Sequence, residues 1–319
     1  MPMKNEGFSL GDILDGLAAV GIHCTPHPAQ PRDVGPLRFC SMFAQEPRGL
    51  YFCEGADAPM LEHGDVVVIT SRVLEGNVAC QLLVEHPQRA FYLLMQHFFG
   101  QPATGQARTA IHPSAIVDPA ARIGAGSVIG PYCVIGDCEI GAGARFDSHV
   151  VVKDGSVIGD RVTIESHSTI GATGVAWVWD DVAQQRIVQP QIGGARVGND
   201  CFIGTDVTVV RGSVNEVTSL GNGCVVAHGS KIGHGSVIGA DVHFANNVSI
   251  AGNCRVGDRA FLSSASVLRP RVVLARGVVV GAGAVVTRNV DQEGVVVSGV
   301  PARVMESKPV HSGVPRLSL

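Results

Sequence analysis

The chain has 319 residues, of which 40 are Gly, 16% are charged and 5% are aromatic, and its formal net charge is −4. This length accommodates one large domain or two ordinary ones. The mildly acidic balance argues against a surface that binds nucleic acid or an anionic membrane. No stretch approaches the roughly 18 to 20 uninterrupted apolar residues of a membrane span.

The cysteines and the N-terminus bear on the cellular compartment. Nine Cys residues occur without a CxxC pair, which favours reduced thiols and argues against a zinc site. Residues 1–14 contain no apolar segment typical of a secretion signal. We therefore expect a cytoplasmic protein with no permanently bound metal or cofactor.

Residues 1–99 show no regular repeat and resemble a small α/β domain. Two runs rich in β-forming residues, Gly49–Cys53 and Asp65–Thr70, predict strands. Pro87–Phe99 has Pro in its first turn and apolar residues at helical spacing, which predicts a helix. Residues 100–110 are rich in Gly, Pro and Ala and are predicted to form a linker.

Residues 111–304 are dominated by a six-residue period. No α-helix and no simple strand has this period, whereas it is typical of a parallel β-helix in which each rung is one short strand and a turn. The aliphatic residue of each hexad is expected to point inward. A polar tail, residues 305–319, follows. The uninterrupted part of the ladder consists of Leu220, Val226, Ile232, Ile238, Phe244, Ile250, Val256, Leu262, Leu268, Leu274, Val280 and Val286.

Two segments interrupt the hexads. Gly171–Gln191 contains both tryptophans, Trp177 and Trp179, and Arg211–Ser219 is a shorter pause. Loops that leave a solenoid often build its binding face. A solenoid also has open ends and flat faces that require capping or association, which favours an oligomer.

The phase of the hexads predicts where polar side chains lie. His228 and His234 each follow an inward residue by two positions and should lie on the surface, and Asn246 has the same phase one coil above His228. His243 precedes the inward Phe244 and has a different direction. Histidine suits proton transfer near neutral pH. The alternative is that each of these residues is simply solvated.

Four segments together carry a family resemblance: Glu85–Phe98 (EHPQRAFYLLMQHF), Ile111–Gly136 (IHPSAIVDPAARIGAGSVIGPYCVIG), Pro190–Gly193 (PQIG) and Val210–Gly223 (VRGSVNEVTSLGNG). Their content and order resemble hexapeptide-repeat acyltransferases, in particular the UDP-3-O-acylglucosamine N-acyltransferases of lipid A biosynthesis. The chain is also similar to N-acetyltransferases of nucleotide-linked amino sugars. The hexads alone are shared by many transferases, whereas this order of segments behind a small N-terminal domain is more specific.

The resemblance implies a left-handed β-helix, a homotrimer and active sites in the clefts between prisms. It places the catalytic His on His234, and it places a second His of the related acetyltransferases on His243. Residues 281–304 resemble their coenzyme A end. The aromatic residue of the family's uracil pocket falls on Phe52, but Gly55 and Ala58 replace the Asn and Tyr that should follow. Leu268–Arg271 (LRPR) replaces another family His.

These observations predict an N-acyltransferase for lipopolysaccharide or cell-surface glycan synthesis. Its donor would be acyl-CoA or acyl carrier protein, and its acceptor the amine of a nucleotide-linked amino sugar. His234 would act as general base, and a backbone N–H at a glycine corner such as Gly252 would hold the oxyanion.

Five further residues are second-tier candidates. His228, Asn246 and Asn247 are candidates for substrate contact. Trp177 and Trp179 would cover the sugar or acyl chain, or pack against a neighbouring subunit.

Three alternatives remain open from the sequence. The chain is a genuine lipid A N-acyltransferase that uses a hydroxyacyl carrier protein, or a non-catalytic hexapeptide-repeat structural protein, or a zinc enzyme with three His ligands at subunit interfaces. The sequence does not distinguish the acyl length, the donor carrier or the sugar.

Overall fold

The computed structural model describes residues 7–42, 44–54, 61–76, 78–100 and 109–306. It divides into two compact units, Met1–Thr104 and Gly105–Leu319. Most of the predicted linker 100–110 and of the predicted tail 305–319 lies outside the described residues.

The first unit is a five-stranded sheet with two helices. The strand order is β1-β5-β4-β3-β2, and every neighbouring pair is parallel except β1 with β5. In chain order the elements are α1 Leu10–Ala19, β1 Thr25–His27, β2 Arg38–Phe39, β3 Gly49–Cys53, β4 Val67–Thr70, β5 Cys80–Leu83 and α2 Pro87–Phe99.

Strand alternation separates two apolar clusters in this unit. Leu50 and Phe52 belong to the cluster that includes both helices, whereas Tyr51 and Cys53 belong to a smaller second cluster. β3 and α2 coincide with the predicted ranges, and β4 begins two residues later than expected. The sequence analysis did not predict α1, which begins with a capping box formed by Ser9 and the residue three positions later.

The second unit is a stack of very short strands. Most are two residues long, and each places one residue outward and the next inward. They are β6 Ala110–Ile111, β7 Ile116–Val117, β8 Arg122–Ile123, β9 Val128–Ile129, β10 Val134–Ile135, β11 Glu139–Ile140, β12 Arg145–Phe146, β13 Val151–Val152, β14 Ser156–Ile158, β15 Thr163–Ile164, β16 Thr169–Ala172, β17 Trp177–Asp180, β18 Gln185–Val188, β19 Gly194–Val197, β20 Phe202–Ile203, β21 Thr208–Val210, β22 Val217–Leu220, β23 Val225–Val226, β24 Lys231–Ile232, β25 Val237–Ile238, β26 His243–Phe244, β27 Ser249–Ile250, β28 Arg255–Val256, β29 Phe261–Leu262, β30 Val267–Leu268, β31 Val273–Leu274, β32 Val279–Val280, β33 Val285–Val286, β34 Val296–Ser298 and β35 Arg303–Val304.

Three sheets form the faces of a triangular prism. Face 1 contains β6, β9, β12, β15, β20, β23, β26, β29, β32, β34 and β35; face 2 contains β7, β10, β13, β16, β21, β24, β27, β30 and β33; face 3 contains β8, β11, β14, β19, β22, β25, β28 and β31. Neighbouring strands within a face are parallel, except for β35 at the end of face 1. The chain visits faces 1, 2 and 3 in turn, and we name each corner by the faces that it joins.

The register repeats every 18 residues in the regular coils. Ile232 pairs with Ile250, and Ile250 pairs with Leu268. The inward residues form one continuous core; Val226, Ile232 and Phe244 are fully buried. The predicted fold, a left-handed parallel β-helix with a small N-terminal α/β domain, is confirmed.

The longer interruption is not a simple loop. Within Gly171–Gln191, β17 and β18 form an antiparallel hairpin, and among the described residues these two strands pair only with each other. The shorter interruption, Arg211–Ser219, leaves the prism at corner 2–3 between β21 and β22.

Candidate active site

His234 lies at corner 2–3, in the turn between β24 and β25. It follows the buried Ile232 by two residues, and it is half-buried rather than fully exposed. Its Nδ1 lies 3.1 Å from Oγ of Ser213. When Nδ1 carries the proton and donates to this oxygen, the lone pair of Nε2 is free to accept a proton.

Arg211 anchors the loop that brings Ser213 to this histidine. Its Nε donates to the carbonyl oxygen of Gly171 at 3.1 Å, and its Nη2 donates to that of Asp154 at 2.6 Å. Hydrogen bonds from a charged guanidinium are among the stronger ones in proteins. The loop is therefore tied to the two preceding coils at the same corner.

The next loop residue must be glycine because the backbone folds back on itself. The N–H of Gly212 donates to the carbonyl oxygen of Gly194 at 2.9 Å. A Cβ at Gly212 would lie 2.5 Å from the carbonyl carbon of Glu216, closer than real Cβ atoms approach. This tight fold places the side chain of Ser213 beside the next coil.

Glu216 supplies negative charge beside His234. Its Oε2 accepts the N–H of Val214 at 2.8 Å. Hydrogen bonds from backbone N–H groups, first that of Val214, lower the pKa of the Glu216 carboxyl, and the positive charge of His234 lowers it further. The carboxylate is therefore ionised at neutral pH, and it lies within electrostatic reach of His234.

Gly252 lies one coil above His234 at the same corner. The imidazole ring covers its Cα: a Cβ there would overlap with Nε2 of His234 and would lie 2.7 Å from Cε1. Any side chain at this position would displace the ring. The backbone of Gly252 therefore lies against the nitrogen that is free to act as a base.

The N–H of Gly252 has no hydrogen-bond acceptor among the described residues. At several other corners, a side chain one coil above accepts the N–H of the equivalent residue, but Pro270, one coil above Gly252, has no side-chain acceptor. This N–H thus remains available for a ligand oxygen. The capped corners include Asn199 by Asn222 at 2.8 Å, Thr205 by His228 at 3.0 Å and Ala240 by Asp258 at 2.8 Å.

His228, Asn246 and Asn247 are not brought to His234 within the chain. They lie at corner 1–2, where Asn247 is one coil above Gly229 and donates its N–H to the carbonyl oxygen of His228 at 2.8 Å. His228 is exposed, but its Nδ1 already accepts the N–H of Thr205. Only its Nε2 is left for a ligand.

His243 lies on face 1, away from both corners. Its ring packs against Phe261 with a centroid separation of 5.0 Å. Burial lowers the pKa of His243 below its usual value, so the neutral form is favoured.

The Trp177 and Trp179 side chains lie on the exposed hairpin, about half accessible to solvent. The guanidinium of Arg186 lies 4.7 Å from the centre of a Trp177 ring, a cation–π contact. Trp179 pairs directly with Arg186 across the strands. The cross-strand pairs place both tryptophans on one surface of the hairpin.

Phe52 belongs to the first unit, where its ring packs on α2 against Phe91 at 5.0 Å and Tyr92 at 5.9 Å. Gly55 and Ala58, the positions that depart from the family's uracil pocket, lie outside the described residues. The ring of Phe52 is partly exposed and partly a packing element.

Within the ranges that the structure covers, no group of three His, Cys, Asp or Glu side chains is arranged to hold a metal ion. No helix in those ranges combines the length and apolar character that crossing a membrane requires.

Sequence reasoning missed Ser213 and Glu216. Neither belongs to a catalytic motif that can be identified from residue type alone. The available signal was the pause in the hexads at Arg211–Ser219, which showed that a loop leaves the prism without showing which coil it meets.

Residues 137–172 match the family model described as bacterial transferase hexapeptide (six repeats). The UDP-3-O-acylglucosamine N-acyltransferase of Pseudomonas syringae pv. tomato is 32% identical over 168 residues, which cover 47% of this chain and 46% of that protein. The acyl-[acyl-carrier-protein]–UDP-N-acetylglucosamine O-acyltransferase of Thermodesulfovibrio yellowstonii is 37% identical over 105 residues, 33% of this chain and 37% of that protein. The chain thus spans less than half the length of these relatives.

Solved structures that resemble the chain are also acyltransferases. The UDP-N-acetylglucosamine O-acyltransferase of Moraxella catarrhalis superposes with a TM-score of 0.56 at 28% identity, over 61% of this chain and 73% of that one. The LpxA structure from Acinetobacter baumannii gives a TM-score of 0.55 at 29% identity over the same shares. The chain carries the hexapeptide repeat of bacterial transferases, and its predicted resemblance to hexapeptide-repeat acyltransferases, with lipid A N-acyltransferases among the relatives, is confirmed.

Proposed function

We propose that the chain is an N-acyltransferase that moves an acyl group from a thioester to the amine of a nucleotide-linked amino sugar. One observation carries the proposal: Nδ1 of His234 is held by Ser213, while Nε2 lies against the backbone of Gly252, whose N–H has no acceptor among the described residues. A base next to an oxyanion donor is what acyl transfer requires. The printed names of the relatives, N- and O-acyltransferases, support this class.

The reaction proceeds without a covalent enzyme intermediate. The amine nitrogen attacks the thioester carbonyl carbon, forming the C–N bond, and Nε2 of His234 removes a proton from that nitrogen. The N–H of Gly252 donates to the oxyanion. When the oxyanion collapses, the C–S bond breaks, and the thiolate leaves and takes the proton from the imidazolium.

Ser213 and Glu216 act as positioning residues in this mechanism. In this mechanism the hydroxyl of Ser213 accepts the Nδ1 proton of His234 and orients the ring, and in that tautomer Nε2 is basic. The ionised Glu216 stabilises the positive charge that the ring gains during the reaction.

The other candidate residues do not lie at corner 2–3 with His234, so within one chain they cannot contact a substrate together with it. We propose that His228, Asn246 and Asn247 contact the sugar at a cleft between two copies of the chain, with His243 on the face beside them. In this arrangement Trp177 and Trp179 cover the sugar or acyl chain.

We further propose a cytoplasmic homotrimer, because corners 1–2 and 2–3 belong to different edges of one prism and would meet across a subunit boundary. Multi-angle light scattering tests this: a mass three times 33.2 kDa is expected. A monomer would contradict the shared cleft.

The activity is tested with a matrix of donors and acceptors analysed by mass spectrometry. Acetyl-CoA, longer acyl-CoA and acyl carrier protein thioesters are crossed with UDP-, dTDP- and GDP-linked amino sugars, and His234→Ala is the control. Transfer that this variant abolishes supports the proposal. Absence of transfer in every combination would favour a non-catalytic structural role.

A narrower function is favoured by one specific observation, the matches to UDP-3-O-acylglucosamine N-acyltransferases. If only a hydroxyacyl carrier protein and the acylated UDP-glucosamine react, the chain is a lipid A N-acyltransferase. If the product carries a new ester and the amine remains free, the chain acts as an O-acyltransferase, as the name of the second class of relatives indicates.

A further inference from the structure

Three ring side chains form a stack on the lower coils of corner 1–2. Tyr132, His149 and His167 occupy the same position of this corner on successive coils, with φ values of 59°, 59° and 63°. The ring centroids of Tyr132 and His149 are 5.0 Å apart, and those of His149 and His167 are 4.9 Å apart. All three side chains are exposed. This ring stack is therefore an aromatic surface on one edge of the prism.

The hairpin of β17 and β18 leaves the prism at corner 2–3 of the coil that contains His167. The turn with His167 precedes β16, and the hairpin follows β16. On one surface of the hairpin Trp177 and Trp179 are 50% and 51% exposed, and on the other Val178 is 63% exposed. A two-stranded hairpin alone is only marginally stable in water. Its apolar side chains therefore favour a further surface on which to pack.

The ring stack and the hairpin lie at matching heights along the prism. The hairpin leaves two coils below His234, which is about 10 Å along the edge. In the proposed homotrimer, corner 2–3 of one copy faces corner 1–2 of the next. A three-fold axis parallel to the prisms keeps equal coils at equal heights. The hairpin of one copy is then level with the ring stack of the next copy.

The two surfaces are complementary in composition and in charge. Both are aromatic, although Phe, Trp and Tyr make up only 5% of the chain. The guanidinium of Arg186 lies on the Trp surface of the hairpin. Glu165 precedes His167 of the ring stack by two residues and is partly exposed, and it has no ion-pair partner in the described part of the chain. An arginine that both stacks on a ring and pairs with a carboxylate is well suited to a protein interface.

We propose that the hairpin of one copy packs its Trp surface on the ring stack of a second copy and so closes the lower end of the cleft between them. The proposal rests on the proposed function, because it uses the homotrimer with shared clefts. A hairpin that covers a substrate in such a cleft must rest on the opposite wall. The ring stack is that wall, and it supports Trp177 and Trp179 below the substrate.

Tryptophan fluorescence tests the contact, since both tryptophans of the chain lie on the hairpin. Acrylamide quenching is measured together with mass by light scattering, for the wild type and for His149→Asn/His167→Asn. Asn tolerates the left-handed backbone at both positions. The matched control is Arg161→Asn/Asp200→Asn, which removes an exposed ion pair at corner 3–1 of the same two coils, also from left-handed positions.

We expect the quenching constant of His149→Asn/His167→Asn to rise by about twofold, because the tryptophans lose the surface that shields them. Tyr132→Asn, which removes one ring, should give a smaller rise. His149→Tyr/His167→Tyr keeps the rings and should quench like the wild type, as should the control. Wild-type quenching of the Asn double variant in a trimer, or an equal rise in the control, would overturn the proposal.

Turnover separates this contact from the proposed function. Quenching that depends on the ring stack, without transfer in any combination of donor and acceptor, would refute the function and leave the contact standing. Transfer by a trimer whose quenching does not depend on the ring stack would refute the contact and leave the function standing. A monomeric wild type would refute both the contact and the shared cleft.

Discussion

His228 and His234 occupy the same hexad phase on consecutive rungs, yet the structure uses them differently. At corner 1–2, the Nδ1 of His228 accepts the N–H of Thr205 in the coil below. At corner 2–3, the Nδ1 of His234 faces a hydroxyl from an expelled loop, and its ring covers Gly252. One histidine is a cap of the solenoid, whereas the ring of the other lies against a glycine whose N–H has no acceptor among the described residues.

The difference arises from the neighbouring coils and not from the histidines. Below His228, corner 1–2 presents the backbone N–H of Thr205, whereas below His234 the interrupted corner 2–3 presents Ser213 and Glu216. Above His234, Gly252 leaves room for the ring and Pro270 leaves the N–H of Gly252 uncapped. A corner of a β-helix thus becomes a candidate active site where no side chain from the next coil accepts its backbone N–H.

The largest effect is expected at the corner that we identify as catalytic. His234→Ala should lower turnover by about 10² to 10⁴, because the general base is removed. His228→Ala removes a proposed sugar contact and not the base, so it should act mainly on KM and keep kcat within a few-fold. Steady-state assays of both variants check this, and an His234→Ala variant with more than a tenth of wild-type turnover would contradict the assignment.

Gly252→Ala should lower kcat by about 10², because the added methyl group displaces the imidazole from its position. The melting temperature should change little, since the ring can move into solvent. Gly194→Ala is a suitable control because its Cβ would meet Val217 at 3.4 Å, an ordinary contact. Full activity of Gly252→Ala would mean that the ring position is not important.

Ser213→Ala should lower kcat by about tenfold without changing KM, because a single hydrogen bond that orients the His234 ring is lost. Ser213→Thr retains the hydroxyl and should recover most of the rate. A change in KM with constant kcat in Ser213→Ala would instead assign the residue to substrate binding.

The cap at the other corner should be visible in stability. His228→Ala leaves the N–H of Thr205 without its acceptor and should lower the free energy of unfolding by about 1 kcal/mol. His228→Asn offers a side-chain acceptor of the kind that Asn222 provides at another corner, and it should recover part of the loss. Denaturant unfolding measures both variants, and equal stability of His228→Ala and wild type would remove the distinction between the corners.

The smallest effect concerns pH. Burial lowers the pKa of His243 in the folded state below the value of about 6.5 in the unfolded chain. The unfolded state therefore binds more protons below about pH 6.5, and stability falls as the pH falls. His243→Phe should reduce this loss, so its melting temperature relative to wild type should be higher at pH 5 than at pH 8.

Much of the fold was accessible from the sequence because its signals are local. The hexad ladder predicted the inward residues of the prism, and Pro87–Phe99 predicted α2 with its bounds. α1 was missed because Gly11 and Gly16 weaken its helical propensity. Its capping box and the close approach of Gly16 to Leu94 of α2 stabilise it instead.

The candidate site was only partly accessible. Hexad phase and family resemblance selected His234 and Gly252, and the structure places them in contact. Ser213 reaches His234 across 21 residues of sequence, through a loop whose path depends on Arg211 and Gly212. No periodicity describes such a loop, so its partner could not be predicted.

The sequence by itself determined the architecture, because a six-residue period constrains every strand to the same inward and outward alternation. It also determined which histidines lie at corners. Only the tertiary structure decided which corner combines a base with a free N–H, because that depends on residues 18 or more positions away that stack one coil above or below. In a solenoid the hydrogen-bond partners of a corner side chain lie in the adjacent coils. Interruptions of the repeat change which residues are adjacent, so these partners are known only from the folded structure.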